Sequence, residues 1–233
     1  MKKTNLLLAS LATTLFFVAC RDQDANFTIQ PISQNTVRLD APEVGQVSRY
    51  LRFEAASCPG QSPAFIYLQD TLVLEVKKVE GTTITLTERL TPGSASVKTS
   101  DPSDDPWGGG VADLTLKLSL DNGTAQLLES SSLSGQTRLF TFPKLVLPLA
   151  PIASPAMALE DWYPKEGSDT GYLENYTQLT VHYDRLNAVT CYGPMSWDGA
   201  GGLYLYTAEA GMIRSGYRSS WCQSGEGWDL MPN

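Results

Sequence analysis

Hydrophobic and polar residues alternate along much of the chain after residue 46, and turn-forming residues separate the alternating stretches. The clearest alternation covers residues 112–121, where every second position from Leu114 onward is leucine. Asn122-Gly123 then supplies the positive φ angles of a two-residue turn, and the chain returns through residues 124–128. This pattern predicts a β-hairpin.

The same signals predict further antiparallel strands. Residues 72–79 and 83–90 form a second hairpin about Glu80-Gly81, and residues 203–207 and 212–217 form a third. Single strands are predicted over residues 47–53, 137–142 and 178–183. The proline-rich residues 142–155 suit an edge strand or a crossover, because proline donates no ladder hydrogen bond. The fold class is therefore all-β, an antiparallel sandwich or barrel of about ten short strands.

Three regions are predicted along the chain. Residues 1–19 read as a signal peptide, residues 20–46 as a lipidated N-terminus and flexible tether, and residues 47–233 as the β-rich domain. Residues 91–111 are rich in proline, glycine and aspartate, so they form either a long exposed loop or a boundary between two halves of that domain.

The leader combines Lys2 and Lys3 with an apolar run over residues 6–19. A helix of this length spans only about 21 Å, short of the roughly 30 Å hydrocarbon core, so it is too short to cross a membrane. Its last four residues, Phe-Val-Ala-Cys, resemble a bacterial lipobox, although Phe17 replaces the usual aliphatic residue. The resemblance implies acyl chains on Cys20 and a lipid anchor in the membrane. The alternative is an ordinary cleaved secretory signal.

Location follows from the same resemblance. Arg21 stands after the cysteine, where aspartate would resemble an inner-membrane retention signal, so the outer membrane is expected, facing the periplasm or the cell surface. The region after Tyr176 is similar to the C-terminal hairpins of uncharacterised β-rich lipoproteins of Bacteroidota.

Charge excludes one class of partner. The 233 residues include 17 Lys and Arg against 25 Asp and Glu, and removal of the leader takes away two of the lysines. An acidic chain without a basic stripe does not suit a phosphate backbone, so nucleic acid is not expected as a partner.

Catalytic chemistry has little support in the sequence. The single histidine, His182, shares a strand face with Asp184, which fits a water-exposed polar face better than a catalytic or metal-binding pair. Motifs for nucleophilic, zinc or phosphate chemistry are absent, so no catalytic residue, metal or cofactor is assigned. Five acidic residues near aromatics are candidates for glycoside hydrolysis, but solvated surface acids are the preferred explanation. They are Glu160, Asp161, Asp198, Glu209 and Asp229.

The aromatic residues indicate a binding surface. After residue 150 the chain has twelve aromatic residues, all of them Trp or Tyr, whose rings and polar tips suit sugars or protein partners. Trp162, Trp197 and Trp221 are the candidate ligand-binding residues, and the alternative is a β-domain core. We therefore expect a non-catalytic binding or envelope-structural module whose ligand is a glycan or an envelope protein. The second reading is a surface lipoprotein that binds or cleaves glycans.

A disulfide between Cys191 and Cys222 is expected in an exported chain. The two cysteines follow strands that can be neighbours, whereas Cys58 lies far away in sequence. Closing this loop would stabilise the fold by about 3 to 4 kcal/mol. The alternative is three unpaired thiols.

Overall fold

The computed structural model describes residues 36–56, 64–93, 113–132, 137–141, 145–160, 163–164, 170–192, 201–218 and 224–232. Within these ranges the structure is β throughout, which confirms the predicted all-β class. No helix long and apolar enough to cross a membrane occurs in this part of the chain.

Eleven of the thirteen strands in the described ranges form one antiparallel sheet, which curls into a half-barrel rather than a two-sheet sandwich. Its strands are β1 (Val47–Ala56), β2 (Ala64–Glu80), β3 (Thr83–Thr91), β4 (Leu114–Asp121), β5 (Thr124–Ser130), β6 (Val146–Pro148), β9 (Thr170–Gln178), β10 (Val181–Tyr192), β11 (Gly201–Thr207), β12 (Gly211–Arg218) and β13 (Gly225–Leu230). A separate ribbon pairs β7 (Leu159–Glu160) with β8 (Tyr163–Pro164).

Two meanders meet in the middle of the sheet. The strand order is β6-β5-β4-β3-β2-β1-β13-β12-β11-β10-β9, so the first strand pairs with the last. Strands β3 and β4 pair directly, which places the residues on both sides of the predicted loop 91–111 in the same sheet.

This topology gives the sheet two distinct ends. The short turns β2–β3, β4–β5, β9–β10 and β11–β12 share one end with the start of β1, which we call the tether end. At the opposite end, which we call the distal end, lie the strand termini that flank residues 57–63, 193–200 and 219–223.

Residues 36–46, which the sequence analysis assigned to the tether, lie against the tether end. Val37 and Leu39 are buried. The backbone N–H of Leu39 donates to the Ala208 carbonyl over 2.8 Å, and that of Gly45 donates to the Val76 carbonyl over 2.9 Å. The chain before residue 36 therefore joins the domain at the tether end.

A segment without strand structure, residues 137–141, lies in the hydrophobic core. Leu139 is fully buried, and the Ser215 hydroxyl of β12 donates to its carbonyl. The prediction of a strand over residues 137–142 is wrong for its described part. The N–H groups of Arg138 and Leu139 donate to the Glu88 carboxylate instead of to a neighbouring strand. Hydrophobic and polar residues alternate in this segment although it is not a strand, because it is buried on several sides. A strand with one buried face gives the same sequence pattern.

The three predicted hairpins are confirmed, and the first turn has positive φ at Asn122 (53°) and Gly123 (71°). The proline-rich segment contains the edge strand β6, as expected. The prediction of one strand over residues 178–183 is wrong. Leu179 takes a φ of 52° and begins a turn between β9 and β10, so alternation continues across a hairpin rather than along one strand.

Candidate functional site

A row of side chains crosses four neighbouring strands at the distal end. Ile66 of β2 stands opposite Glu54 of β1, Glu54 stands opposite Glu226 of β13, and Glu226 stands opposite Tyr217 of β12. Residues directly opposite each other in an antiparallel sheet share a face. Tyr217 lies on the same face of β12 as Ser215, whose hydroxyl contacts the buried residues 137–141. The row is therefore on the inner face of the sheet, at the mouth of the half-barrel.

The guanidinium of Arg52 contacts three carboxylates beside this row. Arg52 contacts Glu226 at 2.5 Å and Glu54 at 3.3 Å through the same Nη2 atom. Its Nη1 atom contacts Asp70 at 3.1 Å, and Asp70 also accepts the backbone N–H of Gly93 over 2.7 Å. Arg52 therefore connects β1, β2 and β13 at the distal end.

An open groove of about 350 Å³ follows the row. Its walls are mainly apolar, and the two glutamates supply the charge. The lining residues are Glu54, Ala55, Ala56, Ile66, Tyr217, Ser224, Gly225 and Glu226. The mouth of a curled sheet is a common place for a ligand site, and apolar walls with a few polar groups are typical of one.

The β2 side of the groove exposes three consecutive large hydrophobic side chains. Phe65 is 43% exposed, Ile66 54% and Tyr67 36%. Because side chains alternate along a strand, Ile66 points to the groove face while Phe65 and Tyr67 point to the other face. An exposed apolar cluster beside a groove indicates an interaction surface.

A buried ion pair lies on that other face. Arg214 of β12 stands opposite Asp229 of β13 and binds its two carboxylate oxygens over 2.6 and 2.5 Å. The Tyr67 hydroxyl donates to the same carboxylate over 2.6 Å. Burial and the Asp229 charge raise the pKa of Tyr67, so the phenol stays protonated and keeps donating. This cluster fixes the start of β2 against β13.

Two glycines leave room for the rings beside this ion pair. Gly216 and Gly227 stand opposite each other on β12 and β13. A methyl group on Gly227 would lie 2.7 Å from Cζ of Phe53, whose ring stacks on Phe65 with centroids 5.0 Å apart. The Arg214 guanidinium lies 4.8 Å from the Phe53 ring centroid, within cation–π distance. The cluster is a structural support for the β1–β2 tip.

The predicted ligand-binding residues Trp162, Trp197 and Trp221 lie outside the described residues, as do Cys20 and Cys222. Gly201 pairs with Arg218, so the strand termini beside residues 193–200 and 219–223 adjoin each other at the distal end. Residue 162 instead falls between β7 and β8 of the separate ribbon.

The predicted disulfide stays a prediction. Cys191 stands opposite Gly202, and Gly202 stands opposite Tyr217, so Cys191 extends the distal row across the sheet. Residue 222 follows the end of β12.

His182 and Asp184 share a strand face as predicted, with Nε2 and Oδ1 3.5 Å apart, and the Asp184 side chain is 90% exposed. No group of three metal-ligating side chains occurs in the described part of the chain. Asp229, a candidate hydrolytic acid, is instead fully buried in its ion pair with Arg214. Residues 161 and 198 lie outside the described residues.

Sequence reasoning missed the residues of the groove. The predicted second hairpin began at residue 72, whereas β2 begins at Ala64 and carries Phe65, Ile66 and Tyr67. The sequence did contain a run of consecutive hydrophobic residues after Cys58-Pro-Gly. This run was not predicted as a strand because its hydrophobic and polar residues do not alternate. The proximity of Glu54 and Glu226 depends on the pairing of the first and last strands, which no local pattern reveals.

Comparison with protein-family models, curated proteins and solved structures found no match to this chain.

Proposed function

We propose that the chain is an exported lipoprotein, held in the outer membrane by acyl chains on Cys20, and that its distal end binds a ligand without chemical turnover. The single observation that carries the proposal is the placement of two features at opposite ends of one sheet. The chain before residue 36 joins the domain at the tether end, while the groove and the exposed hydrophobics of β2 lie at the distal end.

This placement suits an anchored binding module. A ligand approaching from the side away from the anchor meets the groove and Ile66, and the buried pair Arg214–Asp229 holds that surface in place through Tyr67. The charged positions of the groove are two glutamates, and each is in an ion pair with Arg52. One oxygen of each carboxylate is thus engaged in an ion pair, an arrangement that favours binding over hydrolysis.

Membrane attachment is tested at Cys20. Three acyl chains on one cysteine anchor a protein stably, because each buried methylene contributes about 0.8 kcal/mol. We expect Cys20→Ala to move the protein from the membrane fraction to the soluble fraction, and mass spectrometry of the wild-type protein to show an acylated N-terminal Cys20. An unmodified Cys20 in the mature chain would rule out the anchor.

Glycan binding is the second candidate, favoured by the exposed aromatic rings of Phe65 and Tyr67 at the distal end. A glycan array probed with the mature protein separates it from a protein ligand. Binding to one glycan class that Trp197→Ala and Trp221→Ala abolish in a folded protein would favour the glycan. Unfolding of both variants would instead place these rings in the core.

A further inference from the structure

Strand β2 extends beyond its neighbour β3 at the distal end. The last pair between the two strands joins Thr71 to Thr91, whereas β2 begins at Ala64. Gly93, which follows β3, still lies against Gln69. Before Gln69, β2 pairs with β1 alone in the described part of the chain. Alternate residues of a strand direct their N–H and C=O groups to the same edge, so residues 64–68, which we call the β2 overhang, present main-chain groups along an open edge.

The side chains of the β2 overhang are exposed on both faces of the sheet. Phe65 and Tyr67 are exposed on the outer face, and Ile66 is exposed on the groove face. A polypeptide in extended conformation carries donors and acceptors at the spacing of such an edge, and its side chains pack against those of the neighbouring strand. The open edge and the exposed apolar side chains beside it therefore point to the same occupant, another strand.

The outermost strands of the sheet carry features that oppose such pairing. β6 has only three residues and ends at Pro148, which donates no ladder hydrogen bond. At the other margin, Tyr172 of β9 makes main-chain hydrogen bonds with Pro155 and Met157. Proteins commonly protect sheet edges with short strands, prolines or charged residues. The β2 overhang, Ala-Phe-Ile-Tyr-Leu, contains neither proline nor a charged residue.

We infer that the β2 overhang binds an extended segment of a partner polypeptide, which joins the sheet as a strand next to β2 and in line with β3. The inference rests on the proposed binding function and names the class of its ligand. Five residues of a strand span about 17 Å, so a segment of about five residues fills the edge.

The neighbours of the incoming strand are held in place before it binds. Phe65 stacks on the buried Phe53 ring with centroids 5.0 Å apart, and the Tyr67 hydroxyl donates to Asp229. Fixed side chains lose less conformational entropy on binding. The partner residue opposite Ile66 extends the groove row, and its two neighbours pack beside Phe65 and Tyr67. β-Branched and aromatic side chains suit such cross-strand positions, so we expect the partner segment to be rich in them.

The test uses the protein purified in detergent and the fluorescein-labelled peptide Ser-Thr-Val-Tyr-Val-Thr-Ser, followed by fluorescence anisotropy. A second peptide of the same sequence carries methyl groups on the main-chain nitrogens of its tyrosine and of the valine after it, which removes one donor from each edge of the peptide. We expect the methylated peptide to bind at least about tenfold more weakly, because it leaves a β2 carbonyl unpaired and places a methyl group between the strands.

A pair of protein variants tests the same edge. Ile66→Lys should weaken binding of the unmethylated peptide at least about tenfold, because a lysine on an edge strand opposes pairing with a further strand. Val79→Lys, the same change at an exposed hydrophobic residue at the tether end of β2, is the matched control and should leave binding unchanged.

Amide hydrogen exchange of the wild-type protein locates the bound peptide. Alternate N–H groups within residues 64–68 should exchange rapidly in the free protein and slowly with the unmethylated peptide bound, whereas exchange in residues 77–80 should not change. Equal binding of the two peptides, binding of neither, or binding without added protection at residues 64–68 would overturn the strand partner. Protection of all N–H groups of residues 64–68 in the free protein would overturn it too, because this chain would then occupy the edge itself.

Failure of the strand partner is distinguishable from failure of the proposed function. The lipid anchor is tested by Cys20→Ala fractionation, and the distal surface is tested by cross-linking at Ile66. Neither of these measurements depends on the ligand being a polypeptide.

Discussion

Replacing Asp229 by asparagine should lower the free energy of unfolding by about 3 to 5 kcal/mol. The substitution keeps the shape of the side chain but leaves the Arg214 guanidinium as an unpaired charge in a site that is almost fully buried. It also weakens the hydrogen bond that Tyr67 donates to the carboxylate. Urea denaturation measures the change.

A double variant separates the attraction between the two charges from the cost of burying them. Because the desolvation of both charges offsets much of their attraction, Arg214→Met combined with Asp229→Leu should be less destabilising than Asp229→Asn alone. If Asp229→Asn changes the free energy of unfolding by less than about 1 kcal/mol, the structural role assigned to the pair is contradicted.

Glu88→Gln should lower the free energy of unfolding by about 1 to 3 kcal/mol at neutral pH, because the amide offers one acceptor oxygen where the carboxylate offers two. The Glu88 carboxylate accepts the N–H groups of Arg138 and Leu139 over 2.9 and 3.1 Å and faces the Arg138 guanidinium at 3.4 Å. Glutamine turns an NH2 group toward one of these two N–H donors and so loosens the buried residues 137–141. Glu80→Gln, the same change at an exposed position, should leave urea denaturation unaltered.

The same residue gives the stability a defined pH dependence. Burial raises the pKa of Glu88 above its ordinary value of 4.5, and its hydrogen bonds and ion pair oppose this only in part. Between the ordinary and the raised pKa, the native state binds more protons than the unfolded chain, so its stability should fall as the pH rises through this interval. Urea titrations across acidic pH should show the decline in wild type and a flatter profile in Glu88→Gln. A wild-type stability that rises across that interval, with no difference from the variant, would contradict this assignment.

Local sequence signals predicted the hairpins well. Asn122-Gly123 fixed one turn because both residues tolerate positive φ, and alternating leucines fixed the faces of β4. Leu179 shows the limit of that reasoning. A leucine rarely takes positive φ, so the turn between β9 and β10 had no turn residue to mark it.

The candidate site depended on contacts between distant parts of the chain. Glu54 and Glu226 meet because β1 pairs with β13, and Tyr67 of β2 reaches Asp229 of β13 for the same reason. Spacing along the sequence carries no information on such pairings. The sequence therefore suggested that Asp229 is a surface acid. In the structure it is buried in an ion pair with Arg214, which stands opposite it on β12.

Cross-linking at two exposed hydrophobic residues of one strand tests the distal binding surface most directly. A photo-reactive residue replaces Ile66 at the distal end of β2 or Val79 at its tether end, in the full chain expressed in intact cells. We expect illumination to give an adduct of one discrete mass at position 66 and none at position 79. Adducts of equal yield at both positions, or an adduct at position 79 alone, would contradict the proposal that the distal end is the binding surface.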